Sequence, residues 1–265
     1  MRCLLGHYFF PDEPRNINTL HGQPVLSIRN RFDNMMGVSS ADMSASAVEN
    51  LRPDFCRETA RSLGQNEFVK IHDAYGTTPN GAPIFPADAV CGVIYLIRNP
   101  LNVVLSYANH NHSSIQSARS KMLEKTSDLF NNDRFSFPQL RQFVGSWDHH
   151  VCSWVDQTEL SVTVIRYEDL TKEPMQSLAR AVAAFGVEPQ ETLLQKAITA
   201  CQFTRLQDQE NTHGFVEKKP NANRFFDKGN ARDWRVSLPP DQAKTLTDAF
   251  GVVMSRFGYD TAEFV

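Results

Sequence analysis

One short run constrains the fold of this chain more than any other feature. Residues 93–107, with the sequence VIYLIRNPLNVVLSY, join a continuous apolar stretch to Arg98 and then to Pro100. An apolar stretch without polar alternation is typical of a strand buried on both faces of a parallel sheet. Proline suits the first turn of a helix. The run therefore predicts a buried strand that leads directly into a helix.

Further segments extend this alternation along the chain. The sequence predicts strands at Glu67–Ile71, Cys91–Ile97 and Ser161–Tyr167. It predicts helices at Leu101–His110, Pro138–Val155 and Pro174–Phe185, and a last helix after Ser237-Leu-Pro-Pro. The order β-α-β-α predicts an α/β fold in three layers, α/β/α, with a central parallel sheet.

Composition limits the classes of protein that this chain can belong to. Its 265 residues are 41% hydrophobic and show no shift that marks a linker, which predicts a single domain over residues 1–265. A net charge of −3 argues against a general nucleic-acid binder. Five scattered cysteines favour a reducing compartment, and no run reaches roughly 18 apolar residues. We therefore expect a cytoplasmic protein without a membrane span.

An anion site is predicted where the strand before Arg98 ends. Ligands of open parallel sheets bind beyond the carboxyl ends of strands, and a helix N-terminus there offers free N–H groups. Arg98 and Ser106 would contact a phosphate, provided that the ligand lies along the side of the helix. The spacing alone is equally compatible with an ordinary strand-to-helix turn whose Arg98 forms a surface ion pair.

Residues 95–107 resemble the 3'-phosphate-binding motif of the cytosolic-type sulfotransferases, which use 3'-phosphoadenosine-5'-phosphosulfate (PAPS). Four more segments follow the order of that family: Phe68-Val-Lys-Ile-His, Gly145-Ser-Trp-Asp-His-His-Val-Cys-Ser-Trp, Arg166-Tyr-Glu-Asp-Leu with Lys172-Glu-Pro, and Phe226-Asp-Lys-Gly-Asn-Ala-Arg-Asp-Trp-Arg. The resemblance runs from about residue 67 to the end of the chain. It implies a fold like that of the P-loop nucleotide hydrolases and transfer of a sulfuryl group to a hydroxyl or amine.

The resemblance also implies catalytic roles for two residues. His72 corresponds to the general base that takes the proton of the acceptor, which suits an imidazole with a pKa of about 6.5. Lys70 corresponds to a cation that stabilises the charge growing on the bridging oxygen. Without the resemblance, His72 would be read as a structural histidine and Lys70 as a solvated lysine.

Six further residues match the family's nucleotide contacts. Arg98 and Ser106 resemble ligands of the 3'-phosphate, and Lys228 with Gly229 resembles the loop that closes over that phosphate. Tyr167 and Phe203 would frame the adenine, although an aromatic such as Phe203 is otherwise simply a core residue. These eight residues, with no metal, form the predicted site.

The chain departs from the family pattern in two places. Near the C-terminus Asp227 replaces an arginine and Arg232 replaces a glycine, which weakens the case for the closing loop. Before Met1, the family's first strand and its phosphate loop of the type Tyr-Pro-Lys-Ser-Gly are missing. We therefore expect an N-terminally truncated domain, whose missing strand and loop an in-frame upstream segment would supply.

Two other functions are compatible with parts of this pattern. A nucleotide kinase would also need phosphate-binding cations, but no Gly-x-x-x-x-Gly-Lys motif is present, and Glu168-Asp169 is the one carboxylate pair placed after a strand. A catalytically impaired relative could still bind adenosine 3',5'-bisphosphate (PAP).

Neither the acceptor nor a metal site can be read from particular residues. The acceptor, a small molecule or a carbohydrate, would be chosen by a mobile flap at Ala108–Phe137 and a turn at Pro79–Pro86. The sequence gives no prediction of oligomeric state. His110, His112, His149 and His150 lack companion ligands at metal-site spacing, so no metal is predicted.

Overall fold

The computed structural model describes residues 1–13, 16–20, 25–64, 67–130, 138–218, 224–226 and 233–259. This part of the chain forms two compact units. The first unit comprises Met1–His21, Ile94–Leu123 and Thr163–Val265, and the second comprises Gly22–Val93 and Glu124–Val162. The expectation of a single domain over residues 1–265 stays a prediction.

The described residues form helices and short strands in the following order. The helices are α1 (Arg2–Phe9), α2 (Arg29–Met36), α3 (Ala45–Ser62), α4 (Pro100–Asn111), α5 (Ile115–Leu123), α6 (Trp147–Val155), α7 (Tyr167–Lys172), α8 (Pro174–Ala183), α9 (Glu191–Ala200), α10 (Phe203–His213), α11 (Trp234–Ser237) and α12 (Pro240–Arg256). The strands are β1 (Val93–Ile97), β2 (Asp128–Leu129), β3 (Gln142–Phe143) and β4 (Val162–Arg166).

Strands β1 and β4 are hydrogen-bonded neighbours in a parallel sheet with helices around it, which confirms the predicted α/β class. Ile97 and Ile165 bury their side chains almost completely. The chain turns from β1 into α4 as the sequence predicts. Pro100 is the first helical residue, and the Asn99 side chain caps the helix by accepting a hydrogen bond from the Leu101 N–H at 2.9 Å.

The predicted strand at Glu67–Ile71 is not a regular strand in the structure. Val69 forms an isolated bridge, and the Lys70 carbonyl accepts a hydrogen bond from the Leu26 N–H at 2.9 Å. A ladder needs a neighbouring strand over several residues. Past Lys70 the backbone is held partly by side chains of α6, so the segment is anchored without a ladder.

Two segments differ in the structure from what the sequence predicts. The helix expected at Pro138–Val155 is shorter, because the chain first forms β3, which pairs antiparallel with β2, and then begins α6 at Trp147. The expected flap contains regular structure over its described part, residues 108–130. The sequence has helical character around Ser117–Leu129, and α5 overlaps this range. Its residues Ala118 and Met122 are buried, and the helix packs on α12 within the first unit. Residues 131–137 lie outside the described residues.

The second unit is built around a buried tryptophan and a buried ion pair. Trp154 is 1% exposed, and its ring lies against Tyr75 and Phe85 with centroid distances of 5.2 and 5.4 Å. Arg52 donates to Asp73 at 2.8 Å, and both side chains are almost fully buried. Burial of large apolar side chains contributes about 1.5–3 kcal/mol each. The residues just after His72 therefore belong to the core of this unit.

Gly145 lies two residues before α6 in a conformation that favours glycine. Gly145 has a φ of +66°, and a Cβ at this position would lie 2.5 Å from Cδ2 of His149. A larger residue would therefore strain the backbone and force the His149 ring to move. Separately, no helix in the described part of the chain is long and apolar enough to cross a bilayer.

Candidate functional site

Arg98 lies at the carboxyl end of β1 in the first unit and contacts two other predicted residues. Its Nη1 donates a hydrogen bond to Ser106 Oγ at 3.1 Å. Its guanidinium carbon lies 4.3 Å from the centroid of the Tyr167 ring, in a cation–π contact. The structure therefore brings Arg98, Ser106 and Tyr167 together, as the anion-site prediction requires.

Arg98 also retains hydrogen-bonding capacity. Its Nε is buried and has no hydrogen-bond partner among the described residues. A guanidinium carries five N–H donors in a rigid fork that matches phosphate geometry, and a buried donor without an acceptor costs free energy. These properties suit an anion at the guanidinium itself. The N–H groups of the first turn of α4 are already taken up by Asn99, whose side chain and carbonyl accept hydrogen bonds from them.

Glu168 fixes the backbone from which Arg98 projects. Its Oε1 accepts a hydrogen bond from the Asn99 N–H, and its Oε2 accepts one from the Tyr259 hydroxyl, both at 3.1 Å. Burial, followed by the Glu168 carboxylate, raises the pKa of Tyr259, so the phenol keeps the proton that it donates. Sequence reasoning missed Tyr259, because nothing local links a C-terminal tyrosine to the β1–α4 turn.

The other three predicted nucleotide contacts, Phe203, Lys228 and Gly229, are not seen next to Arg98 among the described residues. Phe203 begins α10 and is 38% exposed, and its ring meets Phe226 edge-on at 6.3 Å. An exposed aromatic face is compatible with stacking on a base, so its adenine role stays a prediction. Lys228 and Gly229 lie outside the described residues.

His72 lies in the second unit, where a glutamine fixes its tautomer. Gln142 is fully buried, and its Nε2 donates to Gln139 Oε1 at 3.0 Å and to the Leu140 carbonyl at 3.4 Å. Its Oε1 is therefore directed at His72 Nδ1, 3.0 Å away, and must accept from it. With the proton on Nδ1, the basic lone pair of the neutral imidazole lies on Nε2.

Side chains of α6 hold the main chain around His72. His150 Nε2 donates to the His72 carbonyl at 3.1 Å, and Trp154 Nε1 donates to the Asp73 carbonyl at 2.9 Å. Ser153 Oγ accepts from the Tyr75 N–H at 3.0 Å. The segment that starts at Gly145 and resembles a family motif thus serves to position residues 72–75.

Lys70 is half-buried and lies two residues before His72. Its carbonyl pairs with Leu26, as described above, which fixes its backbone within the second unit. The catalytic role of its side chain stays a prediction, as does the role of His72 as general base.

Comparisons with known proteins agree with these features. A family model for the sulfotransferase domain matches residues 60–258. Sulfotransferase 2A2 of Rattus norvegicus is 29% identical over 170 residues, which cover 62% of this chain and 57% of that protein. The chain thus spans little more than half the length of this curated relative.

Solved structures of sulfotransferases share the fold. Mouse sulfotransferase SULT7A1, in complex with PAP, superposes with a TM-score of 0.51 at 21% identity, over 71% of this chain and 65% of that one. Retinol dehydratase, in complex with androsterone and PAP, gives a TM-score of 0.53 at 18% identity, over 77% and 57%. The fold is therefore the P-loop-like α/β fold that the sequence predicts. Since the family model covers most of the chain, the protein belongs to the sulfotransferase domain family.

Proposed function

We propose that this protein transfers a sulfuryl group from PAPS to a hydroxyl or amine of an acceptor. The observation that carries the proposal is the arrangement of Arg98, which contacts Ser106 and Tyr167 and keeps a buried Nε without a partner among the described residues. Family membership and the PAP complexes of similar folds support the same donor.

Arg98 and Ser106 would hold the 3'-phosphate of the donor. The guanidinium is kept in place by the hydrogen bond to Ser106 and by the Tyr167 ring, so little side-chain freedom is lost when an anion binds. A charge-assisted hydrogen bond to phosphate is worth more than a neutral one. When bound, the donor supplies the sulfuryl group and leaves as PAP.

His72 would take the proton of the acceptor through Nε2. Gln142 keeps the other ring nitrogen protonated, so the imidazole presents its lone pair at one defined atom. Such a base contributes roughly 10²–10⁴-fold to a rate. Lys70 would stabilise negative charge that develops on the leaving oxygen, where a fixed cation lowers the barrier.

The kinase alternative is disfavoured by the hydrogen bonding of Glu168. Both of its carboxylate oxygens already accept hydrogen bonds, from Asn99 and from Tyr259. A carboxylate used in this way is poorly placed to bind Mg²⁺, which a kinase needs beside its phosphates. The acceptor class, small molecule or carbohydrate, and a cytoplasmic location stay predictions.

Calorimetry with PAP and 5'-AMP tests the nucleotide site. We expect Arg98→Ala to weaken PAP binding by about 1.5–3 kcal/mol, roughly ten- to more than a hundredfold, and to change 5'-AMP binding much less. Arg205→Ala, at an exposed position of α10, is the matched control and should bind PAP like the parent chain.

Equal losses for both nucleotides would show that Arg98 is structural. Sulfate transfer from labelled PAPS, measured on the same samples with EDTA present, separates the alternatives. PAP binding without transfer to any of a set of phenol, amine and carbohydrate acceptors would identify a binding protein. Activity that is lost with EDTA would indicate metal-dependent chemistry instead.

A further inference from the structure

Three potential metal ligands, none of which has a role in the predicted nucleotide site, converge in the first unit. Cys3 and His7 lie on α1, and Cys201 directly follows α9. The two Sγ atoms and a ring nitrogen of His7 all lie within 4.8 Å of one another. All three residues are partly buried.

The packing of α1 on α9 creates this cluster. Residues four apart share a helix face, which places Cys3 and His7 side by side. Between the helices, Tyr8 is 2% exposed, and its hydroxyl accepts a hydrogen bond from the N–H of Gln190, the residue that precedes α9. At the other end of α9, the Cys201 N–H closes the last turn by bonding to carbonyls of that helix. Both ends of α9 are thus fixed, and the three ligands rest on rigid elements.

The chemistry of the three groups matches a borderline-soft divalent cation. Zn²⁺ binds thiolates at about 2.3 Å and imidazole at about 2.0–2.1 Å, in tetrahedral geometry. Ligand atoms around such an ion lie on the order of 3.5 Å apart, so the observed cluster needs to contract only slightly. A thiolate is the form that binds metal.

We propose that Cys3, His7 and Cys201 form a Zn²⁺ site, with a water molecule in the fourth position. The site would join the start of α1 to the end of α9. A disulfide between Cys3 and Cys201 is the rival use of the two thiols. The position of His7 favours the metal, because an imidazole binds Zn²⁺ but takes no part in a disulfide.

Sequence spacing could not reveal this site. Cys3 and His7 have helical spacing but no third ligand nearby, and Cys201 lies almost two hundred residues away along the chain. Only the packing of α1 on α9 brings the third ligand to the other two.

Titration with Co²⁺ and Zn²⁺ tests the site in the unaltered, reduced chain. We expect about one equivalent of Co²⁺ to produce a thiolate-to-cobalt charge-transfer band, and Zn²⁺ to displace it. Zn²⁺ should also raise the thermal midpoint. Cys201→Ser and His7→Gln should each weaken Zn²⁺ binding at least about a hundredfold, since replacing residues that merely hydrogen-bond to metal ligands already costs roughly 10–100-fold. Cys91→Ser and His213→Gln, at exposed positions, are matched controls that should bind Zn²⁺ like the parent.

Three outcomes would overturn the proposal. The first is the absence of a charge-transfer band in the unaltered chain, a result that does not depend on any variant folding. The second is a loss of affinity in the control variants as large as in the ligand variants. The third is a Cys3–Cys201 disulfide, found by peptide mass spectrometry, in chain purified with Zn²⁺ and no reductant.

Discussion

At the scale of single residues, the hydrogen bond between Gln142 and His72 has the clearest chemical consequence. An imidazole that rotates or changes tautomer presents its lone pair at the wrong atom. The buried amide of Gln142 prevents this, because its N–H groups are committed to Gln139 and Leu140. In the proposed reaction Gln142 is a positioning residue, whereas His72 is a catalytic one.

Substitutions at these two residues should separate the roles. We expect His72→Ala to lower kcat about a hundredfold or more while PAP affinity barely changes. Gln142→Glu should move the acid limb of the pH–rate profile to higher pH, because a neighbouring carboxylate favours the protonated imidazole. Gln142→Leu should lower kcat without changing PAP affinity. An unshifted profile in Gln142→Glu would show that Gln142 does not act through His72, and a near-normal kcat in His72→Ala would remove the base assignment.

Sequence reasoning identified some of the candidate residues and missed others for physical reasons. Arg98 and Ser106 were predicted, because a strand that ends in arginine and turns into a Pro-initiated helix is a local pattern. Gln142 was missed, because it lies where a helix was expected and its partner is 70 residues away in sequence. Tyr259 was missed for the same reason, since its partner Glu168 is reached only through the tertiary fold.

At the scale of elements, α6 shares with β3 the hydrogen bonding of residues 72–75, where only the Ala74 N–H pairs with the strand, donating to the Phe143 carbonyl at 2.7 Å among the bonds described for this segment. Extended backbone usually has its carbonyls paired in a ladder. Here, one face of α6 provides part of this pairing. His150 and Trp154 donate to carbonyls of the segment, and Ser153 accepts from an N–H. The sequence of an extended segment looks the same whether its backbone pairs with a strand or with side chains of a helix. This explains why a strand was predicted at the preceding residues, Glu67–Ile71.

Removing one of these bonds should destabilise the second unit measurably. Trp154→Phe keeps a ring in the core but leaves the buried Asp73 carbonyl without its donor, so we expect a loss of about 1–3 kcal/mol in the free energy of unfolding. Ser153→Ala should cost about 1 kcal/mol. Ser161→Ala, an exposed control, should change stability by less than about 0.5 kcal/mol. Urea unfolding followed by circular dichroism would measure all three, and equal stability of Trp154→Phe and the parent would contradict the anchoring role.

At the scale of the whole molecule, a buried histidine should make stability depend on pH. Burial lowers the pKa of His150 below its usual value near 6.5, and this effect exceeds that of its hydrogen bond to the His72 carbonyl. Asp73, His149 and His72 are the other ionisable neighbours that act on it. Because the unfolded chain then binds a proton more readily than the folded chain, stability is complete above about pH 6.5 and declines as pH falls through the lowered pKa.

The expected signature is a thermal midpoint that is level above about pH 6.5 and falls below it. His150→Gln can still donate to the His72 carbonyl but cannot titrate, so it should flatten this part of the curve. His213→Gln, at an exposed position in α10, is the control and should keep the parent's slope. A slope that persists unchanged in His150→Gln would assign the pH dependence to other groups.

The α6 anchors act on the main chain of residues 72 and 73, and this has a consequence for evolvability. His150 binds the carbonyl of His72 and not its ring, so replacement of the side chain at position 72 leaves the anchor intact. The amide of Gln142 likewise keeps its own two acceptors when the imidazole is gone. The side chain at position 72 can therefore change in evolution without loss of the hydrogen bonds that hold the surrounding main chain.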